Sequence, residues 1–289
     1  MKIGYPCINY TLDCKADKTI RAKYYDKEKH LEVIKNNLTC LRKILEYNVE
    51  NGIFFHRISS ETIPLATHPI SEVNWKKEFA KEIKQIGSFI EKNNIRISMH
   101  PDHFVILNSP EEKVVKKGVE ELRWHAEFLD LMELDETAKI QIHIGGVYGD
   151  KETAIKRFVE NYKKISEDIK KRLVIENDDY KFNVEDALKI NKETGIPIIF
   201  DTLHHTCNNK GEDMIEAMQK CFLTWKEKDG DPMIDYSTQE QGERKGKHVS
   251  KIDEKNFKEF LNKTKDMKYD VILEIKDKEK SALKAVKML

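Results

Sequence analysis

Nothing in this 289-residue chain approaches the roughly 18 consecutive apolar residues of a membrane helix, which argues against a helical membrane span. The first residues, MKIGYPCINYTL, lack the apolar run and cleavage site of a secretion signal, so cytoplasmic residence is expected. No stretch rich in proline, glycine or serine divides the chain, so one domain over residues 1–289 is expected rather than two joined by a linker. The cysteines Cys7, Cys14, Cys40, Cys207 and Cys221 are odd in number and lack C-x-x-C spacing. That pattern points to reduced thiols and away from disulfides or a zinc ribbon. Net charge is absent as well, 51 basic residues balancing 51 acidic ones, so a nucleic-acid partner would need a local basic patch. What is present is 39% hydrophobic residues, enough for a core, and 35% charged residues, which imply a heavily solvated outer helix layer.

The organising signal is a repetition. Short apolar runs end in polar, metal-capable side chains: ISMH at His100, IQIHIGG at His143, LVIEN at Glu176, IPIIFD at Asp201 and VILEI at Glu274. Strand-like runs with polar exits, each followed by a helical stretch, are the pattern of an α/β fold of the (β/α)8 barrel type, whose active site lies at the carboxyl ends of the strands. Eight units can be read. KIGYP is strand 1 and Glu28 to Glu50 helix 1; IFFHRIS is strand 2, with helix 2 over Trp75 to Lys92. IRISMH is strand 3, with Ser109 capping and Pro110 opening helix 3, and KIQIHI is strand 4, with helix 4 from Asp150. RLVIE precedes helix 5 at Val184 to Glu193, which Gly195 ends, and IPIIFD precedes helix 6 at Asp213 to Trp225. PMIDYS, helix 7 after Asp253, DVILEI and a closing helix complete the set.

Particular residues carry the chemistry. Gly145 and Gly146 after His143 permit a close turn beside a bound group. Glu176 and Glu274 follow buried aliphatic runs, where an unpaired carboxylate is costly and a cation relieves the cost. Asp201 with His204 three residues later can serve two neighbouring ions from one loop, His205 standing behind them. Mixed imidazole and carboxylate ligands suit manganese, zinc or iron better than magnesium, and the lack of a thiolate weighs against zinc. Of two basic stretches, Lys163 to Arg172 has acids interleaved and reads as a solvated helix face. Gly242 to Lys251 falls after strand 7 and brings Arg244, Lys245 and Lys247 to the active-site face, where they could meet phosphates.

In order and spacing, GYPCINYTL, RISSETIPLATH, RISMHPDHFVILNSP, IHIGGVYGDK, IENDD, FDTLHH, GKHVSKID and LEIKDKEKSALK resemble the UV damage endonuclease family over most of the chain. The resemblance implies a metal-dependent TIM barrel related to endonuclease IV, acting on damaged double-stranded DNA. Such enzymes nick 5′ of ultraviolet photoproducts and leave a 3′-hydroxyl and a 5′-phosphate. It also implies two or three divalent ions, manganese foremost, and a monomer. By that likeness His100, His143, Glu176 and Glu274 surround one ion, and Glu176 and Glu274 share a second with Asp201. His204 and His248 then serve a third. His68 matches an active-site histidine, and Tyr5 and Asn9, placed on the strand 1 exit loop, match polar residues beside the scissile phosphate. Four positions depart from the family pattern. His103 and Phe104 replace a glutamine and tyrosine that wedge into the duplex, and Met233 and Asp235 replace a carboxylated lysine and a metal-binding histidine, leaving Asp235 as an oxygen ligand. His30, His56 and His125 fall outside the matched positions and read as structural. Two rivals use the same residues: a sugar isomerase or epimerase of the same barrel class, and a noncatalytic lesion-binding relative. Phe104 and the Arg244 to Lys251 segment favour DNA, and the intact Glu176, Asp201 and Glu274 favour turnover.

Overall fold

In the computed structural model, which describes residues 1–289, each apolar run becomes a strand of four or five residues. The strands are β1 (Ile3–Pro6), β2 (Phe55–Ile58), β3 (Arg96–Met99), β4 (Lys139–His143), β5 (Leu173–Glu176), β6 (Ile198–Asp201), β7 (Met233–Tyr236) and β8 (Asp270–Leu273). They pair in parallel in chain order, and Ile3 on β1 meets Val271 on β8, which closes the barrel. The main helices between and after them are α1 (Lys27–Glu50), α2 (Ala80–Lys92), α3 (Glu112–Leu131), α4 (Lys151–Lys164), α5 (Val184–Thr194), α6 (Met214–Phe222), α7 (Glu254–Lys263) and α8 (Glu279–Val286). A TIM barrel follows, with its strands buried on both faces as parallel sheets require.

Alternation along the strands explains what fills the barrel. Phe55, Val174, Ile199, Met233 and Ile272 come from five different strands and form a buried apolar cluster of their own, apart from the larger core between sheet and helices. They are an internal plug. Two residues further along the same strands, on the same face, stand Arg57, Glu176, Asp201, Asp235 and Glu274. The apolar plug therefore supports a charged layer at the carboxyl ends. Register aligns that layer, with His143 opposite Glu176 and Asp201 opposite Asp235.

Most helix ends follow their local chemistry. Asp26 and Asp150 cap α1 and α4 through the amides of Lys29 and Thr153, Asn183 and Asp186 form a capping box on α5, and Gly195 ends α5 at φ +73°. Three expectations need correction. The helix expected from Trp75 to Lys92 is two pieces, Trp75–Glu78 and Ala80–Lys92, because Phe79 leaves helical geometry as it buries its ring. Ser109 and Pro110 do not start α3; the Ser109 hydroxyl accepts from the Glu111 amide in a preceding turn, and the helix begins at Glu112. The helix expected over Asp213 to Trp225 is shorter, Met214–Phe222, with Asp213 as its cap.

The cysteine expectation is corrected too. Cys14 and Cys40 form a disulfide with Cα atoms 5.8 Å apart, while Cys7, Cys207 and Cys221 are free. The loop leaving β1 folds back along α1, a proximity that motif spacing does not report. Of the interleaved basic stretch, Arg172 is buried and bonded to Asp130, and Lys170 pairs with Glu167. That segment leads into β5, at the end of the barrel away from the charged layer.

Candidate metal centre

Four strand ends and two loops converge on a cleft of about 760 Å³. His100 follows β3, His143 ends β4, Glu176 ends β5 and Asp201 ends β6, while His204 lies in the short helix Thr202–Cys207 that Asp201 caps. Two groups of three can each hold a cation, with ligand atoms within 4.8 Å of one another: His100, His143 and Glu176, and Glu176, Asp201 and His204. Glu176 belongs to both.

Hydrogen bonding leaves these side chains ready to bind a positive ion. The Nδ1 atoms of His100, His204 and His248 lie 2.9, 3.0 and 2.9 Å from the carbonyls of Pro101, Asn177 and Glu274. Each Nδ1 therefore carries the proton and donates it, and each neutral ring keeps its lone pair on Nε2, as metal-binding imidazoles are oriented. The Nε2 lone pair of His100 then faces Glu176 Oε1 at 3.1 Å, acceptor against acceptor. A shared proton or a cation resolves that contact. His143 Nε2 and Asp201 Oδ2 are buried with no partner, which a coordinated cation would supply. Four buried or partly buried carboxylates, Glu176, Asp201, Asp235 and Glu274, face one guanidinium, so the layer carries three net negative charges when its imidazoles are neutral. The residues fit divalent ions.

Proton affinities show the same deficit. Burial works against ionising Glu176, yet His143 and His100 hold it well below the usual carboxylate range, and Glu176 in turn draws His143 up against its burial. Burial, with Glu274 and Glu176, pushes Asp201 up to about 6 against the pull of His204. Burial opposes charge on His204, but Asp201, Glu176 and Glu274 raise it to about 10. The folded chain thus holds a proton on Asp201 between 3.8 and about 6, and on His204 between 6.5 and about 10, that the unfolded chain does not. Their contribution to stability is present at the acid end and is lost as pH rises through both windows. A bound cation replaces those protons, so in calorimetry the gain in melting temperature from added manganese should grow from about pH 5 to about pH 8. A gain that stays constant or shrinks over this range would count against these ligands.

The remaining expected residues scatter. Glu274 belongs to neither group of three: it bonds to Arg57, and its Oε2 lies 3.6 Å from His248 Nε2. Burial notwithstanding, Arg57 and His248 bring it down to about 2. Asp235 sits in the charged layer but accepts from Arg57 Nη2 at 2.5 Å and Gln141 Nε2 at 2.6 Å, outside both groups. Met233 lies in the apolar plug beneath it. Tyr5 stands within β1, not on its exit loop, and faces the helices: its hydroxyl donates to Asn48 on α1 at 2.7 Å and accepts from Asn9 at 2.9 Å. Asn9 also holds the amides of Thr11 and Leu12, so its polar atoms shape the exit loop. His68 is exposed away from the cleft, accepting from the Ile70 amide. His103 stacks 4.6 Å from the His143 ring, and Phe104 beside it is 60% exposed. Arg244 and Lys247 line the cleft and Lys245 is exposed beside them, though Lys247 is paired with Glu243 at 2.6 Å. His30 and His125 bond to backbone carbonyls and His56 is fully buried.

Several residues at or beside the cleft are given no role by the sequence reading, even where they fall inside its motifs. Arg57 and Gln141 lie in strand interiors, where two-residue alternation with Phe55 and His143 would have pointed them inward. Cys7 and Lys278 line the mouth with positive φ of +71° and +54°, a backbone strain that sequence does not announce. Tyr148 and Tyr180 line a lobe that runs on from His143, His204 and His248, and Tyr180 is 84% exposed.

Known proteins resemble this chain along its whole length. The family described as UV-endonuclease UvdE matches residues 1–289. A UV DNA damage endonuclease of Clostridium perfringens is 42% identical over the whole chain, which spans 71% of that protein. The crystal structure of SacUVDE superposes with a TM-score of 0.96 at 50% identity, covering all of this chain and 98% of that one. A D-psicose 3-epimerase from Clostridium cellulolyticum H10 shares the fold alone, with a TM-score of 0.55 at 12% identity over 86% of this chain and 90% of its own.

Proposed function

The chain belongs to the UV-endonuclease UvdE family, and we propose that it is a metal-dependent endonuclease that nicks damaged duplex DNA on the 5′ side of ultraviolet photoproducts, leaving a 3′-hydroxyl and a 5′-phosphate. The observation that carries the metal dependence is Glu176, shared between two groups in which His100 and His204 each commit Nδ1 to a backbone carbonyl and keep Nε2 for a ligand. His100, His143 and Glu176 would hold one divalent ion and Glu176, Asp201 and His204 a second, with His248 and Glu274 at the margin. The chemistry such ions would supply there is polarisation of the phosphodiester, a more acidic attacking water and a stabilised leaving oxygen. Manganese suits the donors, since no thiolate joins them and burial pushes up the thiols of Cys7, which lines the cleft, and Cys207, on the helix of His204.

The chain's own residues arrange the substrate around that centre. Backbone carbonyls fix the histidine rings, so the ligands need no reorganisation when DNA arrives. Arg244, Lys247, Lys276 and Lys278 line the cleft and would neutralise phosphates flanking the cut. Exposed Phe104 would stack on or wedge beside bases that a lesion has loosened, with His103 behind it. Aromatic stacking is worth roughly 1 to 3 kcal/mol per base, so Phe104→Ala should cut the binding preference for damaged over intact duplex by roughly 5- to 150-fold. Bound metal should not change. Equal preference before and after the substitution, in a binding titration with both duplexes, would remove Phe104 from lesion probing.

The direct test incubates the protein and manganese with a duplex carrying one photoproduct and maps the product ends. A nick immediately 5′ of the lesion, with a 3′-end that a polymerase extends, is expected. An uncut damaged strand, or cleavage indifferent to the lesion, would overturn the reading.

A further inference from the structure

Arg57 projects from β2 into the barrel, just above the apolar plug and only 2% exposed. Nη1 donates to Glu274, while Nη2 donates to Asp235 Oδ1 at 2.5 Å and to Gln141 Oε1 at 2.7 Å. Gln141 extends the network: its Nε2 donates to Asp235 Oδ2 and to Glu176 Oε2, both at 2.6 Å. One guanidinium, directly or through one amide, thus holds three of the four carboxylates at the mouth. The amide cannot flip without facing its oxygen to two carboxylates and its nitrogen to the guanidinium, so the deck has one arrangement.

We infer that Arg57 is a built-in cation of the metal centre, a positioning residue that fixes Glu274 and Glu176, and that Asp235 is its anchor rather than a ligand for a metal ion. The inference deepens the metal-dependent reading above and rests on it. Each oxygen of Asp235 accepts from an obligate donor, the pattern of a carboxylate in an ion pair, and Asp235, though level with Asp201 in the sheet, belongs to neither group that can hold an ion. Burial and the neighbouring Glu274, Glu176 and Asp201 favour a proton on Asp235 against the pull of Arg57, while Asp235, Glu274 and Glu176 strengthen the hold of Arg57 on its own. The donors on both oxygens decide for the ionised pair.

Charge counting gives the same answer. Two divalent ions and Arg57 bring five positive charges against four carboxylates, leaving one, which a single phosphodiester neutralises. A third ion would leave three. Replacing Arg57 by a neutral side chain frees Asp235 and Glu274 together and makes room for one additional cation.

The experiment counts manganese per chain by native mass spectrometry and records melting temperatures in chelator and in manganese. It uses wild type, Arg57→Met and the double variant Arg57→Met/Asp235→Leu. Arg57→Met should melt about 10 °C below wild type in chelator, because it leaves buried charge unpaired. Manganese should restore most of the loss, with one more ion bound than in wild type. The double variant, which removes the buried Arg57 and Asp235 charges but leaves Glu274 without its donor, should recover part of the loss in chelator and bind the wild-type number of ions. Arg57→Met with the wild-type ion count and no larger manganese shift overturns the inference. So does a double variant with one ion fewer, because Asp235 is then a ligand. If Arg57→Met does not fold in chelator, the double variant alone decides by that count. Wild type without any bound ion would sink the metal-dependent reading separately: an ion on Arg57→Met would still uphold the role of Arg57, and none would overturn it.

Discussion

Glu176→Gln should reduce nicking of a photoproduct duplex by about three orders of magnitude or more, equivalent to at least about 4 kcal/mol of barrier, while the protein still folds. Glu176 is the one side chain common to both candidate ion sites. Its Oε1 faces His100 at 3.1 Å and His143 at 2.7 Å, and its Oε2 accepts from Gln141. Glutamine has the same shape but no charge, and whichever way its amide turns, an NH2 group replaces one of those oxygens. Turned toward the histidines it presents a donor where a cation should sit; turned toward Gln141 it sets two amide nitrogens against each other. Both ions lose a ligand. The fold should survive, because Glu176 is 1% exposed at the top of the barrel while the apolar plug and outer core stay intact. Single-turnover cleavage, with circular dichroism and a metal count on the same preparation, tests this. Nicking near the wild-type rate with a full complement of metal would reject Glu176 as the shared ligand.

Much of this site was legible because a barrel strand displays its last residue. His143, Glu176 and Asp201 end their strands, and His100 and His204 follow within three residues, so strand-like runs with polar exits located these five candidate ligands. What lay inside the strands was harder to see. Arg57 sits between His56 and Ile58, in a run that reads as ordinary strand, and only alternation from Phe55 shows that it points into the barrel while His56 points out. Gln141 was hidden for the same reason two residues before His143. The same alternation turns Tyr5 toward α1, because Gly4 and Pro6 take the inward positions of β1. Gly4 is tightly constrained there: a Cβ would come within 2.0 Å of the Phe55 carbonyl oxygen. The disulfide between Cys14 and Cys40 joins residues 26 apart through the path of a loop, which neither composition nor spacing encodes. By resemblance Asp235 reads as an oxygen ligand, because it stands where the family has a metal-binding histidine, and only the placement of Arg57 shows what holds it.

Removing divalent ions should stop nicking altogether, a loss of about 10³-fold or more, and manganese alone should restore it. The expectation rests on what the side chains become without a counter-ion. His204 is drawn up to about 10, so near neutral pH it is a cation that donates a proton and cannot serve as the base for an attacking water, and Glu176 draws His143 up as well. Burial pushes the Cys7 thiol up, so no thiolate stands ready as a nucleophile. Glu176, held well below the usual carboxylate range by His143 and His100, is too weak a base to take their place. Rebinding must therefore displace protons as well as fill sites, and activity recovered in a manganese titration should lag at lower pH in parallel with ion occupancy. Because Glu176 serves both groups, protein loaded with a single ion should remain nearly inactive, and the rate should follow the doubly loaded fraction seen by native mass spectrometry. Cleavage at an undiminished rate by protein shown to be ion-free would sink the metal-dependent reading and return the chemistry to the histidines. A rate proportional to the first ion bound would instead confine catalysis to one of the two groups and leave the other a structural role.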